Sequence, residues 1–367
     1  MNLFIFILFL LAPIKAFALH DYTLVNSTRE SEALCQDFVQ SFAPVGSNIP
    51  VIYREGVERE TTDGYIVERN FNISTLTWSS TVTTIYSKTG KDCTGPHGGT
   101  IGSTEHTFIN CKTVPNSDGI LVWGRRTVGS GAGGWTFSDL YTWPDVSTGS
   151  SSDLGSAWGK IIPTGTAGKY FIGISRGSTP AIQRLLTTDS GTSWAISGNI
   201  VNTPSKWSEY TGAYSALHNT IVGIVRDDNG ANVSQVNSTD DGDTFSTPVA
   251  INLGQPTGIR VSYLTYEDST DNFILVFCDR AESPDRVYVS VTRGRDAIAG
   301  RWNKAIEVDD SGFGNFDIYE TNSAGKEYLI FSPDSGNGSC DLQFLVFKNK
   351  FPSNNLTGQT DTNLTIQ

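Results

Sequence analysis

Long apolar runs are almost missing from this 367-residue sequence, as are helix-forming stretches, basic clusters and sulfur. The one apolar run of note is LFIFILFLLAPI at residues 3–14. It falls short of the ~20 residues that a membrane span needs, and the small-x-small triplet Ala16-Phe17-Ala18 follows it. Together these read as a signal peptide over residues 1–18, cleaved after Ala18, and predict a secreted chain. The last fifteen residues carry no apolar tail, so no membrane or lipid anchor is expected. A formal charge of −12 excludes the basic face that nucleic acid or an anionic membrane requires. One methionine and 17% charged residues stand against 37 glycines, the balance of a turn-rich all-β chain. Gly-x-x-x-x-Gly-Lys does not occur, which removes the phosphate loop. No cofactor is expected.

What is present supports secretion. Asn-x-Ser/Thr sequons begin at Asn26, Asn72, Asn232, Asn237, Asn337, Asn355 and Asn363, and each calls for a surface position in a secretory lumen. Five cysteines leave one unpaired. Cys93 and Cys111 flank a Gly-rich loop and are expected to bridge it; the rival reading takes Cys93, His97, His106 and Cys111 as metal ligands. An oxidising compartment favours the disulfide, so no metal is expected. A second bridge, Cys35 to Cys340, would clasp the two ends of the chain, and Cys278, inside FILVFC, is expected to be a buried thiol.

Short β-rich runs bounded by turn residues fill the chain, among them KYFIGIS (169–175), TIVGIVRD (220–227), NFILVFC (272–278) and RVYVSVT (286–292). Only residues 29–41 have helical spacing. The deciding feature is a repeat: TTDSGTSW at 187–194 and STDDGDTF at 238–245. Both fit Ser/Thr-x-Asp-x-Gly-x-Thr/Ser-aromatic, built on Asp189, Gly191 and Trp194 and on Asp240, Gly242 and Phe245. The carboxylate accepts backbone N–H bonds within a tight turn, glycine supplies positive φ, and the aromatic packs between sheets. Weaker echoes end at Trp78, Trp143 and Trp302, so the aromatic ends are spaced one four-stranded unit apart.

These turns are similar to the Asp-boxes of the sialidase superfamily. The resemblance covers residues 45–348 and implies an all-β, six-bladed β-propeller of four-stranded antiparallel blades. An N-terminal segment (19–44) and a glycosylated, disordered tail (349–367) flank it. It also implies cleavage of terminal sialic acid from glycoconjugates, with an arginine triad holding the sugar carboxylate, a tyrosine nucleophile assisted by a glutamate, and an aspartate acid/base. Carried onto this chain, the acid/base is Asp63 in TTDGYIVERN, and the glutamate is Glu209, seventeen residues before the triad member Arg226. Arg286 opens a later strand and is a second triad candidate, with Arg280 its rival. Two positions depart from the pattern. Asn48 stands where Arg-Ile-Pro is expected, leaving Arg54, Arg59 or Arg125 to substitute, and Phe316 stands at the nucleophile's position, with Tyr319 nearby. The first reading is therefore a sialidase-like hydrolase. The others are a catalytically inactive propeller that binds glycans or proteins, and a surface glycoprotein without a small-molecule site.

Overall fold

The computed structural model describes residues 22–30, 35–56, 64–113, 119–143, 156–176, 181–202, 207–227, 233–254, 259–279, 286–309, 317–321, 327–334 and 341–349. The first strand is β1 (Tyr22–Glu30), followed by a first sheet of β2 (Cys35–Ser41), β3 (Asn48–Gly56), β4 (Tyr65–Asn72) and β5 (Thr77–Tyr86). The second sheet is β6 (Asp92–Ile101), β7 (Thr104–Lys112), β8 (Gly119–Thr127) and β9 (Thr136–Trp143). The third is β10 (Ala157–Pro163), β11 (Tyr170–Arg176), β12 (Ala181–Thr187) and β13 (Ala195–Asn202). The fourth holds β14 (Trp207–Ser215), β15 (Thr220–Asp227), β16 (Val233–Ser238) and β17 (Val249–Ala250). The fifth holds β18 (Ile259–Glu267), β19 (Asn272–Asp279), β20 (Arg286–Arg293) and β21 (Ile306–Asp309). Last come β22 (Asp317–Thr321), β23 (Glu327–Asp334) and β24 (Asp341–Asn349). β1 completes this last sheet by antiparallel pairing with β24, from Tyr22↔Asn349 to Glu30↔Leu342.

Each sheet is an antiparallel meander. The first strands β2, β6, β10, β14, β18 and β22 touch one another in turn and close a ring around the axis. A single parallel bridge, Lys160↔Gly98, joins the second and third sheets. The middle strands are apolar nearly end to end, as in β19, whose residues are buried from Phe273 to Asp279. Strands buried on both faces select β-branched and aromatic residues without alternation. Among the described residues the only α-helix is a single turn, α1 (Gly294–Ile298).

Two expectations are corrected. Residues 35–41 form the inner strand β2, not a helix, and β1 and β2 already belong to sheets ahead of residue 45. The aromatic of the second sheet's third-to-fourth turn is Trp135, not Trp143, which ends β9. With Trp135 in place, an aromatic sits in that turn in four sheets and reaches the sheet before it, whereas Trp78 lies within β5 and packs on Phe71 of its own sheet. Trp135 Nε1 donates to Glu68 (2.9 Å) and Trp302 Nε1 to Gln235 (2.7 Å). Trp194 packs on Phe108 and Phe245 on Phe171, with ring centroids 4.9 and 6.0 Å apart.

The turns at 187–194 and 238–245 repeat each other bond for bond. Asp189 Oδ1 accepts from Thr187 Oγ1 (2.7 Å) and Ser193 N (3.0 Å), and Oδ2 accepts from Ser193 Oγ (2.6 Å). Asp240 does the same with Ser238, Thr244 N and Thr244 Oγ1. A Cβ on Gly191 (φ 83°) would lie 2.7 Å from the His106 ring, so the turn approaches the second sheet only because that side chain is missing. Cys93 and Cys111 form the expected disulfide across β6 and β7, so the metal reading of their sulfurs falls. Cys278 is a buried thiol; Cys340 lies outside the described residues, so its bridge to Cys35 does too.

Two stability measurements follow. Replacing Cys93 and Cys111 with serine opens an 18-residue loop and should lower the urea-unfolding free energy by about 3 kcal/mol. Hydrogen bonds, led by those from Ser193 and Thr244, hold the Asp189 and Asp240 carboxyls down at about 2. A depressed folded-state value gives stability that is complete above the unfolded carboxyl range and lost as pH falls from about 4 to about 2. Thermal melts over that window should fall less steeply for Asp189→Asn/Asp240→Asn than for the wild type.

Candidate active site

The inner strands meet through their side chains. Phe38, His97 and Trp158, from three of them, pack together, with ring centroids 6.4 Å (Phe38–Trp158) and 5.3 Å (His97–Trp158) apart. Lys160 Nζ of the third sheet reaches the Tyr263 ring of the fifth at 5.0 Å. At the end where the inner strands begin, charged groups gather. Glu209, the third residue of β14, is 7% exposed. Arg226, near the end of β15, donates from Nη1 to Glu209 Oε1 at 2.5 Å. The antiparallel pairing of these strands, Tyr210↔Val225 and Trp207↔Asp227, brings the two side chains together across seventeen residues of sequence.

A second ion pair lies at the same end, between the first and second sheets. Arg54 Nε donates to Asp92 Oδ1 at 2.9 Å, and both side chains are fully buried. The same oxygen accepts from Gly64 N at 3.2 Å. A Cβ on Gly64 would lie 2.3 Å from it, so only glycine fits. The clamp thus fixes the residue that follows Asp63. Sequence reasoning named Arg54 but missed Asp92, whose only mark in the sequence is its place before Cys93.

The other nominated residues are distributed as follows. Tyr319 is the third residue of the inner strand β22, in register with Leu329, the same depth in its strand as Glu209. Arg286 donates from Nη1 to Glu307 Oε2 (2.7 Å) on the outermost strand of the fifth sheet, with both side chains over one third exposed. Asn48 begins the second strand of its sheet, not the first, and pairs with Asn72 at the turn end of the propeller, away from Glu209. The Ile-Pro that follows it belongs to β3, so the alignment with an opening Arg-Ile-Pro is not supported. Arg125 stacks on Trp123 at 4.9 Å, in register with His106 beside the turns. Asp63, Arg59, Arg280 and Phe316 lie outside the described residues, and among those described no cluster of three or more metal-ligating side chains occurs.

A closed ring of four-stranded antiparallel sheets whose first strands line the axis is a β-propeller, and it has the sialidase-like fold. No family model and no curated sequence matches this chain, but solved structures do. A protein of unknown function from Dyadobacter fermentans superposes with a TM-score of 0.70 at 12% identity, over 90% of this chain and 99% of its own. The Penicillium chrysogenum α-L-arabinanase, complexed with arabinobiose, gives 0.64 at 11% identity, over 89% and 99%. The Trypanosoma rangeli sialidase in complex with the inhibitor DANA gives 0.55 at 13%, over 88% of this chain and 60% of that one. The latter two are glycoside hydrolases, and at these identities the likeness establishes the fold alone.

Arg226→Ala leaves the Glu209 carboxylate in a half-closed site without its cation and should lower the urea-unfolding free energy by about 1–3 kcal/mol. Glu209→Gln should cost less, and a double-mutant cycle should report a coupling of comparable size.

Proposed function

We propose that this protein is a secreted, N-glycosylated sialidase-like glycoside hydrolase acting on terminal sialic acid of glycoconjugates, and that the turns at 187–194 and 238–245 are its Asp-boxes. The observation that carries this reading is the 2.5 Å contact between Glu209 and Arg226 at the end of the propeller where the inner strands begin. A guanidinium has five donors, enough to serve Glu209 and a sugar carboxylate together. A neutral tyrosine suits a nucleophile that must approach an anionic sugar. In this scheme Tyr319 Oη attacks the anomeric carbon while Glu209 accepts the phenolic proton and Asp63 protonates the departing glycosidic oxygen. Water, deprotonated by Asp63, then opens the glycosyl–tyrosine link.

The test is fluorophore release from a sialic-acid aryl glycoside by the full chain secreted from eukaryotic cells. Glu209→Gln and Arg226→Ala should each lower kcat/KM by about 10²–10³-fold, and Tyr319→Phe should abolish turnover. A second reading, a catalytically inactive propeller that binds glycans, draws on one specific observation: Arg54 is fully buried with Asp92, and Arg286 is bonded to Glu307 on the outermost strand of its sheet, so neither completes a triad with Arg226. A folded wild type that releases no fluorophore but retains sialylated glycans on an array would establish that reading instead.

A further inference from the structure

Between the first and second sheets, at the turn end, lies a cleft of about 370 Å³, within the ~300–1,000 Å³ range of small-molecule sites. Its floor is polar and buried. Glu68 and Arg126 line it, exposed by 5% and 4%. Glu68 Oε2 accepts from Arg126 Nη1 and from Trp135 Nε1, while Arg126 Nε donates to Glu105. The Arg126 guanidinium also sits 4.5 Å over the Trp135 ring. Asn70, Thr81 and Thr83 supply amide and hydroxyl groups along one wall, and Pro50 and Ala132 supply apolar surface.

The charge of the floor defines the ligand. Two carboxylates, Glu68 and Glu105, face one guanidinium, which disfavours an anion such as sialate. Burial pushes the Glu105 carboxyl up, with Arg126 opposing. The carboxylate, guanidinium, amide and hydroxyl groups that line the cleft side by side suit a neutral sugar, whose hydroxyls and acetamide need both donors and acceptors.

A sequon lies at the rim. Asn72 opens the sequon Asn72-Ile73-Ser74. Its Oδ1 accepts from Ser74 N (2.9 Å) and Thr75 N (3.0 Å), which fixes the plane of the amide. Its Nδ2, the atom that carries an N-glycan, is thereby aimed at Asn48 Oδ1, 3.2 Å away on the cleft wall. A glycosylated amide keeps one N–H, so this hydrogen bond and the sugar are compatible. Asn72, Asn70 and Glu68 alternate along one face of β4. Asn72 to Glu68 is about 13 Å at strand rise, the reach of a disaccharide.

We propose that the cleft between the first two sheets docks the first two N-acetylglucosamine residues of an N-glycan carried on Asn72. The proposal rests on the secretory part of the functional reading and is independent of catalysis. Attachment forms the Nδ2–C1 bond and breaks the C1–O bond of a lipid-pyrophosphate-linked oligosaccharide, the amide proton leaving with the pyrophosphate. Docked there, the sugar covers the polar groups that line the cleft, and it ties Asn72 to Arg126 across the sheet boundary.

The experiment secretes the full chain from eukaryotic cells and maps occupied sequons by glycopeptide mass spectrometry. An endoglycosidase that cuts between the first two N-acetylglucosamines is then applied to native and to denatured protein. Asn72 should be occupied. The native Asn72 glycan should be trimmed about tenfold more slowly than the denatured one, as for a glycan docked nine-tenths of the time. Ala132→Trp, or Thr83→Tyr if the former lowers the melting temperature, fills the cleft from its rim and should raise native trimming to near the denatured rate. A bare Asn72 with other sequons occupied overturns the docking alone, as do equal native and denatured rates or a filled cleft without effect. A secreted chain bare at every sequon overturns the glycoprotein reading along with it.

Discussion

Ring closure by β1 on β24 is the contact on which the remaining architecture depends. Nine residues from the start of the described chain complete a sheet formed at its end. An open last sheet would present the edge of β24 to solvent and to other chains. It would also leave the first sheet, whose β2 packs on β22, β23 and β24, without a fixed neighbour. The entropic cost of joining such distant segments grows only logarithmically with their separation. It must nevertheless be met before the last inter-sheet burial is gained, so the ring is expected to close late in folding.

Once the ring is closed, buried charge sets how adjacent sheets are registered. The boundary between the first and second sheets holds Arg54–Asp92 at one end and Glu68–Arg126–Glu105 at the other. Apolar contacts there, such as Ile52 and Ile66 against Ile109 and Val122, tolerate small slips. The ion pairs do not: sliding one sheet by a residue would leave Asp92 and Glu105, both fully buried, without partners, a penalty of several kcal/mol per ion. The disulfide-closed hairpin of β6 and β7 carries both carboxylates, so its rigidity transmits that register to both ends of the boundary.

What the sequence discloses depends on how locally each interaction is made. The turns at 187–194 and 238–245 are legible because every residue of the pattern is used within eight positions. The equivalent turn of the second sheet, TVGSGAGGW, reaches its shape through Gly129 and Gly131 at φ 81° and 73° without an aspartate. Only Trp135 remains in common, and spacing alone drifts eight residues to Trp143. The helical spacing at 29–41 has a similar cause. β2 carries a bulge between Asp37 and Val39, with Phe38 at φ 51°, and the extra residue breaks the two-residue alternation that marks a strand. Glu209 and Arg226 could be paired from sequence because they lie on one hairpin, whereas Arg54 and Asp92 meet across two sheets, where no fixed spacing applies.

The two ends of the propeller handle carboxylates in different ways. At the turn end, Asp189 and Asp240 each receive bonds from residues within four positions of themselves. Both oxygens are engaged and the carboxyls are held ionised well below neutral pH. Such groups neither accept a proton nor turn toward a ligand; they lock the turns against the preceding sheet. At the other end Glu209 is held by a cation from the neighbouring strand, not by its own turn. A carboxylate positioned by a separate element keeps one oxygen's geometry fixed while the surrounding groups come from different sheets. This is how residues far apart in sequence are set at one point without strain in any single loop. Glu68 beside Asn72 follows the same second pattern: Arg126 and Trp135, both from the neighbouring sheet, hold its carboxylate across the sheet boundary.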